Sequence, residues 1–172
     1  MMRRNCRNVG VSCKLGVGST KFLIEKKLIM NIKKLFSFSK KAKIFNLFDK
    51  AIETKSSEIL LKALHFVFKE QIDLDYVNYF MRLLPEAWHE EHEEIINLIW
   101  LHNLNDDVFS DVLYLIAVNP ETYRKYDDEN ESTLRKCIHV LREINSEKSN
   151  LYIEKLKSLN NPNVYFALEN YN

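Results

Sequence analysis

Residues 101–117 read Leu101-His-Asn-Leu-Asn-Asp-Asp-Val-Phe-Ser-Asp-Val-Leu-Tyr-Leu-Ile-Ala117, and forty positions later the chain repeats the opening pattern. There Leu141-Arg-Glu-Ile-Asn145 stands where the first copy has Leu101-His-Asn-Leu-Asn105. Each pentad closes one apolar-periodic segment. Each is followed by a residue that can accept a helix-capping hydrogen bond, Asp106 or Ser146, and by a second segment of helical length. The spacing predicts a unit of two helices repeating about every forty residues.

Apolar residues recur at helical spacing outward in both directions from this stretch. Ile44, Phe45, Leu47, Phe48 and Ile52 form one stripe, and Ile59, Leu60, Ala63, Leu64, Val67 and Phe68 a second. Leu74, Val77, Phe80, Met81 and Leu84 precede Pro85, and Trp88, Ile95, Ile96, Ile99 and Trp100 follow it. Val108, Val112, Leu113, Leu115 and Ile116 end at Asn119-Pro120. Leu134, Cys137, Ile138, Leu141 and Ile144 come next, then Leu151, Ile153, Leu156 and Leu159 up to Asn161-Pro162, and Val164, Phe166, Ala167 and Tyr171 last. Each of the three prolines falls between runs, where a missing N–H does least harm. Asp106, Asp107, Ser146 and Asn161 sit just ahead of runs as N-cap candidates.

No glycine occurs between residues 19 and 172. Tight hairpins, phosphate-cradling loops and nucleophile elbows all draw on glycine, so their absence argues against those structures and against most enzyme classes. The expected fold is all-α, an α-solenoid of antiparallel helix pairs of HEAT or armadillo type, whose work is done by its surface.

A composition 46% apolar and 28% charged is that of a globular domain, and no apolar run approaches the roughly 20 residues a bilayer demands. The charge is divided. Residues 1–55 hold fourteen Lys/Arg against three carboxylates, a net +11; the remaining residues hold eleven against twenty-one, a net −10. Residues 1–29 contain all three glycines and two of the three cysteines, without helical periodicity. Met30 opens Met-Asn-Ile-Lys-Lys-Leu, which reads like a natural start, so residues 1–29 are expected to be disordered or an upstream mis-assignment, and 30–172 the helical domain. Gly16-Val17-Gly18-Ser19-Thr20-Lys21 has the letters of a phosphate loop in the wrong order, and Cys6 and Cys13 are not at metal-knuckle spacing. Cys137 has no partner for a disulfide within the helical body and reads as a small buried hydrophobe in a reducing cytoplasm.

Residues 86–172 resemble a bacterial HEAT-like repeat family of small standalone proteins. The similarity rests on Ala87-Trp88-His89-Glu90-Glu91-His92-Glu93-Glu94-Ile95, on the segment Asp107 to Ala117, and on Tyr126-Asp127-Asp128-Glu129. Leu134-Arg135-Lys136-Cys137-Ile138 and the Leu-x-x-Leu of the final pair complete it. The chain departs by placing His139 where an aromatic is expected and by lacking a glycine after Ile144. The resemblance implies an immunity protein of a polymorphic toxin system, which binds and neutralises a cognate toxin in the cytoplasm. It also marks Trp88, His92, Arg135, Lys136 and Cys137 as a structural motif.

Three clusters invite a chemical reading. His89 and His92 lie one helical turn apart and could share a metal, but the spacing is not HExxH and no third ligand is evident; the structural reading has His92 packing or hydrogen-bonding at a turn between repeats while Trp88 fills the groove. Tyr126-Asp127-Asp128-Glu129 ends the longest loop of the body, opened by Pro120. There Asp127 and Asp128 could cap the next helix with Arg135 and Lys136 reaching back to them, or the loop could meet a partner. Lys33, Lys34, Lys40, Lys41 and Lys43 interleave with Leu35, Phe36, Phe38, Ile44 and Phe45, as an amphipathic cap helix would; a membrane or nucleic-acid surface is the alternative.

The expected function is therefore non-catalytic protein binding by occlusion, with Glu86, Glu90, Glu93, Glu94, Asp106, Asp107, Tyr126, Asp127 and Asp128 as the candidate contact residues. The partner is another protein, with a cationic toxin domain the favoured candidate; no metal, cofactor, nucleic acid or membrane is expected. The alternative is a regulatory or assembly module anchored through its basic N-terminal helix.

Overall fold

The computed structural model describes residues 40–169, and every regular element among them is helical. Helix α1 is described over residues 40–54 and is followed by α2 (Ser57–Val67), α3 (Leu74–Leu83) and α4 (His92–Leu101). A 3-10 turn (Asp107–Phe109) leads into α5 (Ser110–Val118), the one-turn α6 (Pro120–Tyr123), α7 (Ser132–Ile144), α8 (Glu147–Lys157) and α9 (Pro162–Glu169). The expectations for residues 1–29 and for the basic stretch up to Phe38 lie outside the described residues. The core belongs to the unit that begins at Ala42. No helix among the described residues is long and apolar enough to cross a membrane.

Local chemistry explains most helix starts. Ser146 and Ser149 form a reciprocal capping box, with Ser149 N–H donating to Ser146 Oγ at 3.0 Å and Ser146 N–H to Ser149 Oγ at 2.9 Å. Asp106 accepts from Val108 N–H at 3.0 Å and Asn161 from Asn163 N–H at 2.8 Å. Ser56 and Asp73, which the periodicity did not single out, cap α2 and α3. Pro120 and Pro162 do not follow helices as spacers; each opens one, where its fixed φ suits the first turn. The loop holding Tyr126 is correspondingly shorter than expected.

Helix ends correct the inference drawn from missing glycine. Lys55, Asn103, Glu131, Asn145 and Asn160 all have φ between 48° and 54°, so the chain does use the left-handed region. Three of the five are asparagines, whose short polar side chain tolerates it best after glycine. At two of these ends a six-residue closing bond forms, Ser56 N–H to the Ala51 carbonyl and Leu104 N–H to the Ile99 carbonyl. Lys55 is exposed and has no such compensation from its side chain type. Lys55→Gly is therefore expected to raise the free energy of unfolding by roughly 1 kcal/mol in urea melts; an unchanged midpoint would remove strain at this residue from the account.

The core is a single cluster running from Ile44 and Phe48 through Leu64, Phe80, Ile95 and Leu113 to Ile138, Leu156 and Val164. Helix α7 packs against α4, α5, α8 and α9, and α5 also packs against α8. Several stripe residues are not in it: Phe68, Leu74, Val108, Leu115, Leu151, Leu159 and Phe166 are exposed, while Tyr76, Leu98 and Phe109 are buried instead. A periodic helix has apolar residues on more than one face, and its neighbours decide which face is covered.

One tertiary feature occurs twice. Tyr79 on α3 donates its hydroxyl to Asp49 on α1 at 2.8 Å, with the Arg82 guanidinium 5.3 Å from the Tyr79 ring centroid. Tyr152 on α8 donates to Asp111 on α5 at 2.7 Å, with Lys155 Nζ 5.2 Å from its ring. In both copies the cation lies three residues after the tyrosine, which sets the two side chains side by side on the helix.

Candidate functional site

Pro85 stops α3, and the chain turns through residues 86–91 into α4 under the control of two histidines. His89 Nε2–H donates to the Leu83 carbonyl at 2.9 Å while its Nδ1 accepts from Glu91 N–H at 3.2 Å, which fixes the neutral tautomer. His92 Nε2–H donates to the Glu86 carbonyl at 3.0 Å. The two rings stack with centroids 4.4 Å apart, at 3% and 1% exposure. Trp88 closes one side, edge-on to His89 at 4.8 Å, and Tyr123 the other, edge-on to His92 at 5.2 Å. Burial lowers both imidazole pKa values; for His92, with its neighbour His89 adding to the effect, the value falls to about 4. These groups hold the turn together, with each Nε2 committed to a carbonyl oxygen. Among the described residues no group of three His, Cys, Asp or Glu side chains is placed to hold a metal.

Arg124, which the sequence reading passed over, organises the loop between α6 and α7. It is 6% exposed and spends its donors on four partners. Nε and Nη2 donate to the carbonyls of Ile116 at 3.3 Å and Ala117 at 2.9 Å, closing the C-terminus of α5. Nη1 donates to Asp127 at 3.3 Å and Glu131 at 3.0 Å. Asp127 in turn accepts from the Thr133 N–H at 3.2 Å and from its hydroxyl, capping α7 from outside the helix. Burial works against the ionised form of Glu131, but hydrogen bonds from Asn161, Arg124 and Asn163 outweigh it and hold its carboxyl below the ordinary range. The capping expected of Asp127 is therefore present, but its cation is Arg124. Lys136 instead pairs with Glu93 at 2.6 Å, and Arg135 lies over Phe166. Asp128 bonds within its own turn, accepting from Asn130 N–H at 3.0 Å.

Between this loop and the start of α4 lies a cleft of about 250 Å³. Glu90, Glu91, Glu93 and Glu94 line it from one side, and Tyr123, Arg124, Tyr126, Asp127 and Thr133 from the other. Carboxylates in the first turn of α4 suit the positive end of its dipole, which explains their tolerance of one another. Crowding still shows at Glu91: burial, then Glu94 and Glu90, push its pKa up. Glu90, Glu91 and Glu94 make no ion pair among the described residues, whereas Glu93 is neutralised by Lys136. Tyr126 stands exposed at the rim with Lys125 Nζ 4.7 Å from its ring.

Of the nine candidate contact residues, the fold thus gathers Glu90, Glu93, Glu94, Tyr126 and Asp127 around one cleft. It does not bring the others there. Glu86 sits at the Pro85 turn, Asp106 caps the 3-10 turn, and Asp128 holds its own turn. Asp107 joins α5 to α8, accepting from the Ser110 and Ser146 hydroxyls and pairing with Lys148 at 3.4 Å; those hydrogen bonds, Ser146 first, lower its pKa. Cys137 is fully buried, and burial pushes its thiol up to about 12, so it is not a nucleophile.

No protein-family model matches the chain, and searches of curated proteins and of solved structures return no match.

Proposed function

We propose that the chain is a non-catalytic, protein-binding helical scaffold that presents the cleft at the start of α4 to a cationic partner. The observation that carries this reading is the convergence on one cleft, beside an exposed tyrosine, of three carboxylates that make no ion pair among the described residues, Glu90, Glu91 and Glu94. A net −10 over residues 56–172 would speed and orient capture of a basic face. The packing of α4 on α7 and of α5 on α8, with the duplicated tyrosine–aspartate–cation arrangement, supports stacked helix pairs of the HEAT-like kind. The resemblance of residues 86–172 to immunity proteins narrows the partner to a toxin domain with a cationic cleft, held by occlusion in the cytoplasm.

The test is purification of the full chain from its own host and measurement of association with what it retains. One stoichiometric basic protein is expected, with an on-rate falling by about tenfold in Glu90→Lys/Glu94→Lys and falling with salt. Reversal at Asp127 is not a clean test, because that side chain caps α7. Recovery of the chain with anionic lipid alone would favour the regulatory module anchored through its basic N-terminal segment; an unchanged on-rate in the reversed variant would remove the cleft.

A further inference from the structure

Helix α7 carries Arg135, His139 and Arg142 at i, i+4 and i+7, a row that lies along one face, and α9 packs on α7. Arg142 is committed there: its Nη1 donates to the Leu168 carbonyl at 2.8 Å, closing the C-terminal end of α9. Arg135 is held differently. Its guanidinium lies 5.4 Å from the Phe166 ring centroid, it forms no ion pair among the described residues, and its Nε is buried without an acceptor. It borders an open groove of about 710 Å³ whose other walls include Asn130, Asn160, Asn163, Tyr165 and Phe166.

Elsewhere in this acidic body the partly buried cations have been given partners; Arg124 has two carboxylates and Lys136 has one. A guanidinium lying over a ring, with no ion pair among the described residues, can take a planar anion through two parallel N–H donors. Exposed Phe166 and Tyr165 supply apolar area beside it, in the composition found at the centres of protein interfaces. Asn163 and Asn130 on the rim spend amide donors on Glu129, Glu131 and Asp128, which leaves the Asn160 amide to meet a peptide backbone. Glu169 on the same rim and the net −10 of residues 56–172 weigh against a dianion.

We propose that the α7–α9 groove is a second recognition site, which takes a carboxylate side chain of a protein partner carried next to an apolar residue, with Arg135 as the anchor and Phe166 as the platform. This site is separate from the acidic cleft and stands or falls independently of it.

The test is a titration of the full chain with N-acetyl-L-phenylalanine, followed by NMR at the Arg135 Nε–H resonance and the Phe166 ring. N-acetyl-L-phenylalaninamide serves as the uncharged control and phenyl phosphate as the dianion, at matched ionic strength. A saturable shift with a Kd on the order of 1 mM is expected for the acid, given the usual affinity per atom of small ligands. The amide is expected to bind at least about tenfold more weakly. Arg135→Gln should abolish the shift at the Phe166 ring with helicity unchanged, and Phe166→Leu, which keeps the charge, should weaken binding several-fold. No saturable shift up to about 20 mM, equal binding of the amide, or full binding by Arg135→Gln would overturn the site. Tighter binding of phenyl phosphate would overturn its assignment to a carboxylate.

Discussion

Replacing Arg124 by alanine is expected to lower the free energy of unfolding by about 3–5 kcal/mol, the usual cost of removing one partner from a buried ion pair. The loss has three sources. Asp127, whose side chain is 7% exposed, and Glu131 would face each other without a cation. The carbonyls of Ile116 and Ala117 would lose their donors at the end of α5. Asp127 would then hold the Thr133 N–H, and with it the start of α7, less firmly. Since domain stabilities are about 5–15 kcal/mol, urea unfolding should show a large leftward shift, measured with a stabilising co-solvent present for both proteins. Arg124→Lys should recover little, because one ammonium cannot reach two carbonyls and two carboxylates from a single point. The combination Arg124→Met, Asp127→Asn, Glu131→Gln should be more stable than Arg124→Ala, since it removes the uncompensated charges together. A loss under about 1 kcal/mol in Arg124→Ala would show that the network contributes little beyond a solvated pair.

Acidification is expected to destabilise the fold through the stacked histidines. The folded-state pKa of His92 is about 4, against 6.5 for the free side chain. Between those values the unfolded chain binds the proton and the folded chain does not, so stability falls as pH drops from about 6.5 towards 4, then levels for this group. The full difference is about 3 kcal/mol. His89, also lowered by burial, adds a loss in the same direction, as does Glu131, whose lowered carboxyl must be protonated in acid. Glu91 works the other way, because its raised pKa favours the folded chain as pH falls. Urea melts between pH 7 and 4.5, read by fluorescence of Trp88 beside His89, should show the slope, and His92→Phe should flatten it. That variant keeps a ring against His89 but cannot titrate; an equal slope in both proteins would remove His92 from the acid response.

The cleft and the turn were legible in the sequence to different degrees. His89, His92 and the run of glutamates were visible as a cluster because they are neighbours in sequence and on one helix start. Their chemistry was not, since only the carbonyls of Leu83 and Glu86 and the rings of Trp88 and Tyr123 decide that the imidazoles stay neutral. Asp127 was read correctly as a cap, but its cation was sought at Arg135 and Lys136, close by on the next helix. Arg124 lies in a loop, where no periodicity reports burial, and its partners are the end of α5 and the acids after it. The flanking Asp127 and Glu131 were the one signal that could have pointed to it.

The helical class, the approximate positions of the longer helices and the caps at Asp106, Ser146 and Asn161 follow from the sequence by itself. Each depends on interactions within about four residues, and the chain declares those through spacing and side-chain type. Which stripe is buried, where Arg124 finds its carboxylates, and which carboxylates share a cleft were decided only by the tertiary structure. Leu115 and Leu113 differ by two positions on one helix, yet one is exposed and the other buried. Burial and ion pairing depend on the helices that arrive from elsewhere in the chain, and no local pattern records their arrival.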